Sequence, residues 1–307
     1  MDLLLDASLF ASGIRLSTPL ILAALGGLYC EKSGVTNIGL DGIMIFGAFS
    51  GAVVAFETQD PWWGLLAAIV TGAFISFLHG IASIRYNGDQ IISATAINIL
   101  AVGLPALLSN AIYDSTSVTP NIPNLLPSIK FDFLDNYPIL GELFNNYSYL
   151  VVGSFLLIPI SWYVINKTIF GLKLKACGEN PEAAEAAGVD VRLYRMYGVL
   201  LSGVLAGLGG AFLSIAHGSA YVRNISSGRG FLALAALIFG KYSPVGVLYA
   251  CLLFGFADAL QIRMQNAFAI PVQVIQIFPF LLAMVILSSF VGRSPVPTAV
   301  GKPYVKS

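Results

Sequence analysis

Side chains that bind metals or carry redox chemistry are almost absent from this chain. It has two histidines, His79 and His217, and three cysteines, Cys30, Cys177 and Cys251. None of them stands at ligand or CxxC spacing, so neither a metal centre nor a disulfide framework is expected. Charge is scarce as well. Only 10% of residues are charged, and 16 basic residues balance 16 acidic ones. A neutral chain lacks the basic footprint of nucleic-acid binding. Catalytic signatures are missing too: there is no HExxH, no nucleophile elbow, and no catalytic triad stands out. The nearest approach to a P-loop is "FGKYS", Phe239 to Ser243. Tyr242 occupies the position that needs Ser or Thr, and Ala235 replaces the first glycine. The chain is therefore not expected to bind ATP or to act as an enzyme. Its N-terminus, "MDLLLDASLFASGIRLSTPL", has no basic n-region and no clear cleavage site, so it reads as retained.

What remains is largely apolar. Hydrophobic residues make up 57% of the chain, and the mean hydropathy is +0.81. Apolar runs of about twenty residues recur, the length needed to cross a hydrocarbon core of about 30 Å. In lipid the backbone must satisfy its own hydrogen bonds, so an all-α polytopic membrane protein is expected, forming one transmembrane domain over residues 1–307. About nine segments are predicted: 14–30, 38–56, 62–84, 91–113, 147–165, 194–217, 230–240, 245–262 and 272–291. The seventh lies between "SSGRG" and "GKYSP" and is too short to span, so a partial helix against the bundle interior is expected.

Lysine and arginine set the orientation. With the 166–193 loop inside, eleven of the 16 basic residues fall on the inner side. The N-terminus is then outside and the C-terminus cytoplasmic. The longest external loop, 114–146, carries Pro120, Pro123, Pro127 and Pro138 among aromatics. It reads either as a cap over the outer mouth or as a docking surface. Small residues four apart, Gly203 with Gly207 and Ala206 with Gly210, suit close helix packing, as do Gly42, Gly47 and Gly51. Ion coupling would need ionisable groups deep in the membrane. The candidates, Arg15, Asp41 and Asp258, all read as lying toward segment ends, and no proton relay is visible. Motor and ion coupling are both missing, so the motor is expected on another subunit.

One stretch is out of character. "GENPEAAEAAGVD", Gly178 to Asp190, puts Glu179, Glu182 and Glu185 among small alanines. Asn180 suits an N-cap and Pro181 the first helical position. Glu182 and Glu185 fall where the helix dipole favours acids, and Gly188 suits a left-handed stop. The predicted helix, Pro181 to Ala187, is too short to be stable alone. Ala183, Ala184 and Ala187 form a small face that either docks into a partner's cleft or packs on this protein's own helix ends.

Several separated motifs, in order along nearly the whole chain, resemble permeases of ATP-binding-cassette importers. The branch is the one serving branched-chain amino acids, simple sugars and nucleosides. "EAAEAAG", Glu182 to Gly188, resembles that family's coupling segment. "EKSGVTNIGLDGIMIFGAF", Glu31 to Phe49, resembles its N-[IL]-G-x-[ED]-G-x-M signature, with Asp41 where many relatives have Glu. "GRGFLALAALIFGKYSPVG", Gly228 to Gly246, resembles its glycine-introduced short helix. The N-terminal "STPLILAALGGLYCEKSGVTNIGLDG" and "FGFADALQIRMQ", Phe254 to Gln265, are closest to the shorter permease of nucleoside systems.

The resemblance implies a translocation subunit in a bacterial inner membrane. It implies an ATPase partner that carries ATP and magnesium, a second and longer permease, and an external substrate-binding lipoprotein. Gly178 to Gly188 would couple to the ATPase. Asn37, Asp41, Phe46, Phe49 and Asn98 are candidates for the pathway lining, although Asn37 also suits an N-cap and Asn98 a bridge between helices. A neutral nucleoside suits such a lining, since burying charge is costly. The alternatives are a sugar or branched-chain amino acid importer, a stand-alone carrier or channel, and a membrane-embedded enzyme.

Overall fold

The apolar runs become helices whose ends are fixed by polar side chains. The computed structural model describes residues 7–130, 146–267 and 296–304, with isolated positions between 275 and 285. Helix α1 spans Ala7–Lys32, α2 Leu40–Thr58, and α3 Pro61–Gly80, which runs on as a π-helical turn, Ile81–Arg85. Helix α4 spans Gln90–Tyr113 and α5 Tyr149–Lys167. Two short helices follow, α6 Ile169–Glu179 and α7 Pro181–Ala186. Helix α8 spans Val191–Ala211 and continues as a π-helical turn, Phe212–His217. Helix α9 spans Arg229–Phe239 and α10 Pro244–Ala267. Acidic N-caps start three of the helices. Asp60 accepts from the Trp62 amide, Asp89 from the amides of Ile91 and Ile92, and Asp190 from the Leu193 amide. Each occupies donors that the first helical turn leaves free.

Seven helices among the described residues are long and apolar enough to cross a membrane. Helix α9 has 11 residues, about 16 Å, and is the expected partial helix. Most of the ninth predicted segment, 272–291, and the whole of the 131–145 stretch lie outside the described residues. Helix α1 begins at Ala7, earlier than the predicted 14, because Leu9 is buried in a cluster with Ala259 of α10.

Helices α1, α2 and α8 form the inside of the bundle, and α3, α4 and α5 have most of their surface outward. On α4 the outward side chains include Ile92, Ile99 and Leu107. A soluble protein would bury them, whereas hydrocarbon accepts them. The inner helices approach backbone to backbone. A methyl group added at Gly47 would lie 2.6 Å from the carbonyl oxygen of Gly207, and one at Gly26 would lie 2.8 Å from that of Ser202. Such contacts supply dispersion energy where lipid offers no hydrophobic drive.

The described part of the 114–146 loop lies along the exit from α8. The amides of Thr119, Ile122 and Leu126 donate to the carbonyls of Tyr221, Ser219 and Ile215. Strand β1 (Ser128–Ile129) pairs antiparallel with β2 (Tyr147–Ser148), and Ile122 and Leu126 are buried.

Candidate functional site

The acidic 178–188 segment folds as its punctuation predicts. Asn180 Oδ1 accepts from the Ala183 amide at 3.0 Å, and Pro181 takes the first position. Gly188 has φ +79, and its amide closes the helix on the Glu185 carbonyl at 2.8 Å. The helix ends at Ala186, one residue before the predicted Ala187, which serves as the cap with φ −83 and ψ 8.

The alanine face needs a correction. Ala184 is only 5% exposed and sits in a small apolar cluster with Cys177, Val191 and Tyr304. Ala183 and Ala187 are exposed, as is Glu182. Helix α7 is thus seated on its own loop through Ala184 and presents its other side outward. Burial raises the Cys177 thiol to about 11, so it behaves as a small apolar side chain.

A strap from residues 296–304 holds the segment in place. The Ala299 amide donates to the Gly178 carbonyl at 2.9 Å. Thr298 donates twice to Glu179, through its amide to Oε2 at 3.3 Å and through its hydroxyl to the carbonyl. The Tyr304 hydroxyl donates to the Glu185 carboxylate. Desolvation and then that hydrogen bond raise the Tyr304 phenol to about 12, so it stays protonated and donating. From α8, Arg195 donates to the Lys302 carbonyl at 3.0 Å and lies 5.7 Å from the Tyr304 ring centre. Two of the three glutamates are therefore engaged by the strap, which no sequence pattern announced. Arg195→Ala is expected to loosen it. Hydrogen bonds from a charged donor contribute about 1.5–3 kcal/mol, so amide exchange across 296–304 and 178–188 should quicken at least about tenfold. Exchange measured by mass spectrometry that matches the parent would show the strap to be held without Arg195.

The five predicted lining residues lie on α2, on the turn before it and on α4. Asn37 is fully buried, donating to Ser202 Oγ at 3.0 Å and accepting from the Gly39 amide at 3.0 Å. Asn98 accepts from the Gly42 amide at 2.8 Å and donates to the Ile38 carbonyl at 3.1 Å. His79 adds ring-nitrogen contacts of 3.1 Å to the Thr36 carbonyl and Ser93 Oγ. The turn between α1 and α2 is thus bonded to α3, α4 and α8. Asp41 caps a distant helix. Its Oδ1 accepts from the Gly230 amide at 2.8 Å and its Oδ2 from the Ser226 hydroxyl at 2.9 Å, which joins α2 to the start of α9. Phe46 and Phe49 are buried, Phe49 edge-on to Tyr221 with ring centres 5.3 Å apart.

On the far side of α9, Arg229 pairs with Asp258 of α10 at 3.2 Å, both side chains largely buried. The sequence placed Asp258 toward a segment end and did not foresee the pair.

Cavities flank these regions, and two of them bear on the charged and polar groups above. One of about 740 Å³ opens beside the strap, between the end of α3 and the α7–α8 turn, and includes Arg85, Glu185, Asp190, Arg192 and Tyr304. The other, about 470 Å³, lies at the start of α9.

Residues 9–287 match the family described as branched-chain amino acid transport system / permease component. The guanosine ABC transporter permease protein NupQ of Bacillus subtilis (strain 168) is 40% identical, the match covering 94% of this chain and 94% of that protein. The nucleoside ABC transporter permease protein NupC of Lactococcus lactis subsp. cremoris (strain MG1363) is 37% identical, covering 95% and 94%. A second Bacillus subtilis protein, the guanosine ABC transporter permease protein NupP, is 29% identical, covering 91% of this chain and 81% of its own length.

Proposed function

The chain belongs to the family of branched-chain amino acid transport system / permease components, and from that premise we propose that it is the shorter permease of an ATP-driven nucleoside importer, purine nucleosides foremost. The observation that carries this reading is the near-full-length likeness to NupQ and NupC. Two Bacillus subtilis relatives with guanosine permease names, one matched over 94% of its length and one over 81%, support pairing with a longer, unlike permease.

In this reading the chain is a single permease domain with nine segments, counting 272–291, in a bacterial inner membrane. Its N-terminus is outside and its C-terminus cytoplasmic. The 114–146 loop faces the exterior, where a lipoprotein delivers substrate. The 166–193 loop faces the cytoplasm, where a separate ATPase, carrying ATP and magnesium, grips the segment Gly178 to Gly188. Glu182, Ala183 and Ala187 give the partner a small exposed face. Asn37, Asp41, Phe46, Phe49 and Asn98 shape the wall of the pathway, with the polar groups of Asn37, Asp41 and Asn98 occupied inside the fold.

The test is reconstitution of the assembled complex in proteoliposomes. Guanosine or adenosine is expected to stimulate ATP hydrolysis and to accumulate, whereas ribose and leucine do neither. Stimulation by ribose or leucine with guanosine inert would move the substrate to sugars or amino acids. Guanosine flux through this polypeptide alone, without an ATPase, would make it a stand-alone carrier.

A further inference from the structure

Helix α9 is about 16 Å long, roughly half the thickness of a hydrocarbon core, so both its ends cannot reach the membrane surfaces. Its first turn is held from two sides, by Asp41 of α2 and by Asp258 of α10. Half-helix ends inside a bundle need protein or water around them, and they are where transport proteins place binding groups. The cavity of about 470 Å³ opens at this turn. Its volume lies in the range of about 300–1,000 Å³ usual for small-molecule sites.

Its polar lining is Asn224, Ser227, Arg229, Asp258, Gln261 and Gln265. Arg229 and Asp258 cancel each other in charge. The other four are neutral, and each can both donate and accept. Among the described residues, none bonds to the side chains of Asn224, Gln261 or Gln265. This contrasts with Asn37 and Asn98, whose amides are taken up within the fold.

From this arrangement we infer that the cavity is the substrate-contacting subsite of the permease, and that it takes a neutral nucleoside. The inference rests on the nucleoside reading above and gives it an address. Free carboxamides match the mixed donors and acceptors of a base edge and ribose hydroxyls. A branched aliphatic side chain would leave those amides unpaired, and a phosphorylated nucleotide would bring charge to a site whose arginine already has a partner.

The test uses the assembled complex in proteoliposomes, with guanosine as the probe. Gln261→Leu, Gln265→Leu and Asn224→Ala are each expected to raise the KM for guanosine uptake by roughly fivefold to tenfold, with a smaller change in maximal rate. A purely structural role would lower the maximal rate and the yield of complex and leave KM alone.

A second measurement stands apart from the kinetics. The native cysteines Cys30, Cys177 and Cys251 are all buried, so Gln261→Cys gives a single reactive position among the described residues. Guanosine is expected to protect it from a maleimide, and leucine is not. Unchanged KM in all three variants, or labelling indifferent to guanosine, overturns the subsite and leaves the functional reading standing. An unmodified complex that carries no guanosine overturns that reading and the subsite with it.

Discussion

Gly230→Ala is expected to abolish uptake and to cut the yield of folded protein sharply. A methyl group at Gly230 would overlap the backbone nitrogen and Cα of Asp41, neither of which can swing aside like a side chain. Helices α2 and α9 would have to separate. That would stretch or break the bonds from the Gly230 amide, 2.8 Å, and the Ser226 hydroxyl, 2.9 Å, to the Asp41 carboxylate. Overpacking costs about 1–3 kcal/mol. Leaving a buried carboxylate short of partners costs several more, so the total should exceed about 4 kcal/mol. Asp41→Asn is the informative companion. Its amide oxygen can still accept from Gly230, and its nitrogen can donate to Ser226, so most uptake should survive. Asp41→Ala should resemble Gly230→Ala, because two buried donors lose their acceptor at about 1–3 kcal/mol each. Thermal inactivation half-lives of the purified complexes would rank the three. A Gly230→Ala complex as durable as the parent would show that the joint yields.

The second large effect is expected at the 178–188 segment. Replacing Ala183 and Ala187 together by arginine should detach the ATPase and lower uptake more than about tenfold, equivalent to about 1.4 kcal/mol of lost docking or more. Both positions are exposed, so the chain's own stability should change by less than about 0.5 kcal/mol. Ala184→Arg should behave differently. It would force a guanidinium into the cluster of Cys177, Val191 and Tyr304 and lift α7 from its seat. Co-purification of the ATPase, read beside thermal stability, separates a lost contact from a damaged loop. If the double variant keeps both its ATPase and its uptake, the partner grips the permease elsewhere.

The contrast between Ala183 and Ala184 shows where sequence reading reaches its limit. Asn180, Pro181 and Gly188 act on their immediate neighbours, so α7 could be placed nearly to the residue. Apolar length likewise located the described spans and marked α9 as too short. Which side of α7 faces inward depends on Val191 and Tyr304, and a six-residue helix carries too little pattern to show it. Asp41 illustrates the same limit at longer range. A carboxylate in the first turn of a helix reads as that helix's own dipole partner. Instead it caps a helix 189 residues away, a choice made by tertiary packing alone. Asn98 was recognisable as a polar residue that needed partners, but Gly42 and Ile38 could be named only once α2 and α4 were seen side by side. The Arg229–Asp258 pair escaped because Asp258 was judged by its distance from a segment end, with no sign of which residue α9 would bring to it.

The strap has a consequence for the order of synthesis. It joins Glu179 to Thr298 and Glu185 to Tyr304, positions 119 residues apart. A ribosome makes the α6–α7 turn long before it makes the residues that fasten it. Helices α8, α9 and α10 must be threaded into the membrane in the interval. Until then the turn lacks its clamp and α7 is too short to hold its own shape. A motor subunit that recognises the fastened form would pass over half-inserted chains and engage only those whose later helices are already in place.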